Sequence, residues 1–214
     1  MGEQGLVLIG SGTSPFVRKV RLAAAKLGQS ATFRLDAQWP PESQVATLNP
    51  LAKLPVLLTP EYGPLYDSRV IIAELQRRAG RVLRPADPMA AISDQRVEAL
   101  ADGIGEAVAL AVQETWRPED RRSTVWNARQ QAKVERGVAA LAEDHASGRL
   151  SNATNTVGAI AAICALDFLT FWFPDHAWKH GHANLAAWAG ASHGDPDFAA
   201  TRPIIAAGAL FPKL

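Results

Sequence analysis

Three hydroxyl side chains crowd the run Gly10-Ser11-Gly12-Thr13-Ser14, which Pro15 closes. Ser followed by Pro is the pattern of a helix start, with Ser as N-cap and Pro at the first helical position. Such a start has unpaired N–H groups and the positive end of the helix dipole. A hydroxyl there can stabilise a neighbouring anion, and it can equally serve only as a cap. Asp67-Ser68, ahead of another apolar-periodic run, is a second such place. Helix N-termini suit carboxylates, but Asp-Ser is also a common capping turn. Lys53 can pair with a carboxylate or extend into water. His176, His180 and His182 match no zinc spacing and have no cysteine beside them, so the reading is a helix-end and loop cluster without metal. The single cysteine, Cys164, lies in the most apolar stretch and reads as inert packing.

These residues need elements to hold them. Leu6-Val7-Leu8-Ile9 is a short apolar run ended by Gly10-Ser11-Gly12, the pattern of a buried strand and a turn. Val17, Val20, Ala24 and Leu27 recur at helical spacing, and Gly28 is placed to end that helix. Ala31, Phe33 and Leu35 alternate with Thr32 and Arg34 as in a strand. Residues 6–35 therefore read as β-α-β, a crossover that usually joins parallel strands. Pro40-Pro41 breaks the chain, and a short helix is predicted near 42–48. Val56-Leu57-Leu58 is a further strand, Glu61-Tyr62-Gly63-Pro64 a turn, and Leu65-Tyr66 a little antiparallel strand. Val70, Ile71, Leu75 and Ala79 then mark a helix closed by Gly80. The order suits a small mixed sheet with helices on both faces.

Residues 81–88, with two prolines, read as a linker. Beyond them the periodicity is helical. Ile92, Leu100, Ile104, Ala107, Val108 and Ala111 mark a long helix, and Val134, Val138 and Leu141 another. The stretch 157–169 is apolar around most of its circumference and reads as a buried central helix. A shorter helix covers 184–191. There is no internal repeat.

Three segments carry a resemblance in this order. Ser14-Pro15-Phe16-Val17-Arg18-Lys19-Val20-Arg21-Leu22 resembles the first helix start of serine-type cytosolic glutathione transferases. Asn49-Pro50-Leu51-Ala52-Lys53-Leu54-Pro55-Val56-Leu57 is similar to the segment before their third strand, and Leu65-Tyr66-Asp67-Ser68-Arg69-Val70-Ile71-Ile72 to their acidic-Ser helix start. Ala187-Trp188 and residues 198–203 look like the family's closing segment. Within the family the chain resembles a bacterial branch outside the well-defined classes. Two positions depart from the pattern. Ala52 stands where the family often has Gly. Thr156-Val157-Gly158-Ala159 lacks the acid of the usual Ser/Thr-x-x-Asp capping box, a loss of about 1 kcal/mol.

The resemblance implies a fold, an α/β thioredoxin-like N-terminal domain plus an all-α C-terminal helical domain. Its boundaries are 1–80 for the thioredoxin-like domain, 81–90 for the linker and 91–214 for the helical domain. It implies glutathione as co-substrate and Ser14 as the catalytic hydroxyl, with Thr13 and Ser11 in the same loop as the next candidates. A free thiol has a pKa of about 8.5, so little of it is ionised at pH 7; lowering it by two units takes about 2.7 kcal/mol. A hydroxyl donor and a helix N-terminus both push that way. Pro55 is expected to be cis, so that the Leu54 backbone pairs with the tripeptide in strand fashion. Ser68 is expected to hold the γ-glutamyl carboxylate, Asp67 its ammonium and Lys53 the glycyl carboxylate. Phe16, Trp116 and Trp126 are candidates for the apolar wall of the second-substrate pocket, and core or interface packing accounts for each Trp equally well. No cysteine occurs in the hydroxyl loop, which argues against the family's thiol-transfer chemistry.

Composition sets bounds. The 214 residues are 48% hydrophobic and 20% charged, enough for a sizeable core. Lys and Arg number 22 against 21 Asp and Glu, and a net charge of +1 gives no pull toward nucleic acid or acidic membranes. One cysteine excludes an internal disulfide framework and fits a reducing compartment. The polar first residues and short apolar run do not resemble a signal peptide, and no run is long enough to span a bilayer. The expectation is a cytoplasmic enzyme, homodimeric by resemblance through the helices starting near Ser68 and Ile92, that conjugates glutathione to small electrophiles. A glutathione-dependent isomerase, a glutathione-binding protein without turnover, and an interaction module with a decayed pocket are the other readings.

Overall fold

The computed structural model describes residues 5–36 and 43–205. The elements of its first unit are β1 (Leu6–Gly10), α1 (Pro15–Leu27), β2 (Ala31–Leu35), α2 (Val45–Leu48), β3 (Val56–Thr59), β4 (Gly63–Leu65) and α3 (Ser68–Ala79). The four strands form one sheet in the order β2-β1-β3-β4. β1 and β2 are parallel, as the β-α-β pattern requires, while β3 runs antiparallel to both β1 and β4. This is the thioredoxin-like order. Pro40-Pro41 and the start of the helix predicted near 42 lie outside the described residues; the described helix is Val45–Leu48.

The period of two decides which side chains go where. Val7 and Ile9 share a face with Val56 and Leu58, and there Ile9 and Val56 pack with Val45 of α2 into a dry cluster that Leu48 and Leu54 border. Leu8 and Leu57, paired on the opposite face, are also buried. Helices α1 and α3 pack against each other, and α3 against β3. Both helices end on glycines in the left-handed conformation, Gly28 at φ 67° and Gly80 at φ 63°, where a side chain would be strained.

The second unit runs from Arg84 to Ala200, while Thr201 and the segment after it return to the first. Its helices are α4 (Pro88–Trp116), α5 (Thr124–Ala146), α6 (Val157–Trp172), α7 (Trp178–Gly181), α8 (Ala183–Ala191) and α9 (Pro196–Ala200), with 3-10 turns at Glu119–Arg121 and Ser192–Gly194. Pro88 is the first residue of α4, behind an Asp87 cap that accepts from the Ala90 N–H at 2.8 Å; it starts the helix that the linker reading ended on. Helix α4 packs on both α5 and α6. At Gly137 a Cβ would come within 2.5 Å of Ile104, so a glycine lets α5 approach α4. Helix α6 is buried through all of its first ten residues, as its apolar circumference predicts.

The acid missing from the start of α6 is supplied from another helix. Thr156 caps α6 by accepting from the Ala159 N–H at 3.3 Å. The Gly158 N–H donates instead to the carboxylate of Asp94 on α4, at 3.1 and 3.2 Å. A Cβ on Gly158 would lie 2.4 Å from the Asp94 carbonyl oxygen, so the glycine admits the contact. Asp94 is 4% exposed and pairs with Arg84 at 2.8 Å, and Arg84 also reaches Glu98. Burying a carboxylate is costly unless it is paired and hydrogen-bonded, as Asp94 is here. Asp94→Ala removes a helix cap and one of the two carboxylates that pair with Arg84, so it should lower the stability of the helical unit by about 2 kcal/mol. Urea unfolding of the purified variant checks this; a loss near zero would contradict it.

Candidate functional site

Strand direction gathers the three motif segments. β1 ends at Gly10 and leads into the hydroxyl loop. Because β3 is antiparallel, with Ile9 opposite Val56, the start of β3 and the Leu54-Pro55 pair before it lie at that same end of the sheet. β4 is antiparallel to β3, with Leu65 opposite Leu57, so Tyr66, Asp67 and Ser68 leave the sheet there too. Residues 40 or more positions apart in sequence thus share one edge.

Ser14 caps α1: its extended backbone (φ −63°, ψ 126°) precedes Pro15, and its hydroxyl oxygen accepts from the Val17 N–H at 3.3 Å. The cap uses a lone pair and leaves the hydroxyl proton for another acceptor, so capping and anion stabilisation are compatible in one side chain. Ser11 and Thr13 are half-buried in the same loop, and Phe16 is half-buried in the first turn of α1. The loop's two glycines are both demanded by contacts. A Cβ on Gly10 would meet Val17 at 2.4 Å, and one on Gly12 would meet the Ile204 carbonyl oxygen at 2.7 Å.

The Leu54–Pro55 bond is cis, as the resemblance implies, and the Tyr66–Asp67 bond is cis as well. Pro55 is buried, whereas Leu54 is half-buried and lies beyond the last β1–β3 register pair. The segment before it is held by Asn49, a residue to which the sequence reading gives no role. Asn49 is 2% exposed; its side-chain amide donates to the Lys53 carbonyl at 2.8 Å and accepts from the Leu51 N–H at 3.0 Å. Both faces of one amide therefore fold the five residues into a fixed turn, leaving the Lys53 side chain exposed. Its Asn-Pro start was the available signal. Ala52 pays for the turn with φ 50°, which explains why glycine is frequent there in the family it resembles.

Asp67 is the N-cap of α3 and accepts from the Arg69 N–H at 2.9 Å. One of its oxygens caps, and the exposed carboxylate keeps the other. Ser68, the first helical residue, is buried at the N-terminus of α3. Farther along α3, buried Glu74 accepts from Arg77 (2.7 and 2.8 Å) and Arg78 (2.7 Å). The Arg77 hydrogen bonds foremost, with Arg78 adding, hold its carboxyl below the usual range against the opposing effect of burial.

Trp116 and Trp126 belong to the helical unit. Trp116, at the end of α4, stacks edge-on with Trp172 at 6.4 Å, and Trp172 meets Phe168 and Phe171 in turn. Trp126, in the first turn of α5, is 41% exposed. His176 accepts the Trp178 N–H at 3.2 Å, a local turn contact. Cys164 is buried in α6. Among the described residues no helix is long and apolar enough to cross a membrane.

Comparison with known proteins bears on the fold and the family. The family model "Glutathione S-transferase, N-terminal domain" matches residues 13–78, and "Glutathione S-transferase, C-terminal domain" matches residues 124–191. The uncharacterized GST-like protein YibF of Escherichia coli K12 is 33% identical over 198 residues, covering 92% of this chain and 98% of its own. A glutathione S-transferase of Methylobacterium radiotolerans, solved with glutathione sulfonate, is 34% identical with a TM-score of 0.88 over 98% of this chain and 99% of that one. One from Methylobacillus flagellatus, solved with glutathione bound, is 36% identical with a TM-score of 0.85 over 93% and 100%.

Two substitutions test the supports of this edge. Ala52→Gly relieves the left-handed backbone and should stabilise the protein by about 1 kcal/mol, read as a raised melting temperature. Glu74 has a lowered native pKa, so its stabilisation is complete above the ordinary value of 4.5 and is lost as pH falls through the lowered one. Glu74→Gln should therefore destabilise the protein at neutral pH and flatten the acid side of its stability profile, followed by unfolding at a series of pH values.

Proposed function

The chain belongs to the glutathione S-transferase family, and on that premise we propose that it binds glutathione and conjugates its thiolate to small electrophiles. The observation that carries the reading is the convergence of the hydroxyl loop, the cis-proline turn and the capped start of α3 at one end of one sheet. The Methylobacterium and Methylobacillus proteins hold glutathione sulfonate and glutathione, respectively, on a chain of the same fold.

Each group of the tripeptide finds a matching residue. The γ-glutamyl carboxylate takes the Ser68 hydroxyl and the first N–H groups of α3, where the helix dipole favours an anion. Its ammonium goes to the Asp67 oxygen that does not cap. The cysteinyl backbone pairs with Leu54, whose N–H and C=O lie beyond the sheet ladder and can extend it by one strand. The glycyl carboxylate pairs with Lys53 across solvent, a contact worth at most about 1 kcal/mol.

The sulfur then lies at the start of α1. The Ser14 hydroxyl, whose proton is left over from capping, donates a hydrogen bond to it, and the positive end of the α1 dipole adds its field. Both favour thiolate over thiol, so the nucleophile is ionised at neutral pH without a general base. The thiolate forms the new carbon–sulfur bond as the electrophile's leaving group departs, or as its activated double bond takes up a proton from water. Half-buried Phe16, two residues past Ser14, furnishes apolar surface for that electrophile. We read the protein as cytoplasmic, where glutathione is abundant, and as a homodimer; exposed Val70 on α3 and exposed Met89 and Ile92 on α4 are apolar surface for such an interface.

A glutathione-agarose column should retain the protein and release it with free glutathione; passage unretained would overturn the reading. With a panel of electrophiles, Ser14→Ala should lower kcat by roughly 10- to 100-fold, the loss of one hydrogen bond to a charged sulfur. The KM for glutathione should change little. Retention on the column with no turnover on any electrophile would leave a glutathione-binding protein instead.

A further inference from the structure

The hydroxyl loop is held from the far end of the chain. After α9 the backbone leaves the helical unit and returns to the first unit at Thr201. There the Arg18 guanidinium on α1 donates to the Thr201 hydroxyl at 3.4 Å. Three residues on, the Ile204 N–H donates to the Gly12 carbonyl at 3.1 Å. The Ile204 carbonyl passes so close on the other side that Gly12 has no room for a Cβ. Pro203 stiffens the segment between these contacts.

The loop needs such help. Gly10 and Gly12 flank Ser11, and glycine has the largest conformational freedom to lose. The chain reaches Ser14 through residues 11–13, which lie outside both β1 and α1, so the placing of the Ser14 cap depends on how that loop is held. We propose that Thr201–Ile205 is a positioning strap for the glutathione site: through the Ile204–Gly12 hydrogen bond it fixes the loop of Ser11, Thr13 and Ser14, and so sets the acidity of the bound thiol rather than the affinity for the tripeptide. The part concerning the thiol rests on the proposed function; the holding of the loop does not. Among the described residues no hydrogen bond or ion pair joins Lys53, Asp67 or Ser68 to the strap, so acidity and affinity should separate.

Ile204→Pro removes the N–H, Gly12→Ala removes the clearance, and Ile204→Ala keeps both and serves as the control. Amide hydrogen exchange without ligand reads the loop. In the first two variants residues 11–13 should exchange at least tenfold faster, with Ile204→Ala as in the wild type. Titration of the glutathione thiolate by its ultraviolet absorbance reads the chemistry. The first two variants should raise the bound thiol's pKa by about one unit, a tenfold loss of thiolate at low pH, while the dissociation constant for S-methylglutathione stays within twofold. Unchanged exchange and unchanged titration in folded variants would overturn the proposal. So would a failure of both Ile204→Pro and Gly12→Ala to fold, which would make the strap a folding element. If the wild-type protein holds no glutathione, the proposed function falls, and the exchange experiment still decides whether the strap holds the loop.

Discussion

The candidate site depends on one reversal of direction. β3 runs against β1, with Ile9 opposite Val56, and β4 runs against β3. Had β3 entered parallel to β1, the cis-proline turn would lie at the other end of the sheet from the hydroxyl loop. Antiparallel pairing puts the exit of β1, the entry of β3 and the exit of β4 on one edge. The pairing is specified by the cluster of Ile9, Val45 and Val56: a slip of one residue would turn those side chains away from α2. The hydrophobic register of a few apolar residues therefore fixes where polar chemistry can occur.

Around that edge, polar groups are satisfied in ways that leave one function over. Ser14 caps with a lone pair and keeps a proton; Asp67 caps with one oxygen and keeps another; Asn49 uses both ends of its amide to hold a turn and leaves Lys53 exposed. Each group is oriented by an internal hydrogen bond before any ligand arrives, so less entropy is lost on binding. The helical unit follows the same economy, since Asp94 both caps α6 and neutralises Arg84.

Much of this was legible in the sequence. Strands β1 to β3, the caps at Ser14 and Asp67 and the glycine stops at Gly28 and Gly80 are local, and local pattern reads local structure; β4 runs Gly63–Leu65 instead of Leu65-Tyr66, because Gly63 and Pro64, which read as turn residues, already pair with Thr59 and Leu58. The buried helix 157–169 was legible because its composition is apolar all round. What could not be read joins distant residues. Asp94 lies 64 positions from Gly158, and nothing in either segment names the other. Ile204 lies far from Gly12, and the glycine could be read only as a turn residue. Pro88 carried an ambiguous signal, since proline both breaks a chain and opens a helix; Asp87 before it decides for the opening. The short helices α7 and α9 are four and five residues long and carry too little periodicity to detect.

The central claim is that one edge of the sheet holds glutathione with its sulfur at the start of α1. A crystal structure of the protein grown with glutathione tests it most directly. The account predicts the cysteinyl backbone paired with Leu54, the γ-glutamyl carboxylate at Ser68 and the sulfur within hydrogen-bond distance of the Ser14 hydroxyl. A sulfur facing Ser11 or Thr13 would contradict the assignment of the activating hydroxyl, and a tripeptide bound away from Leu54 and Ser68 would contradict the site itself.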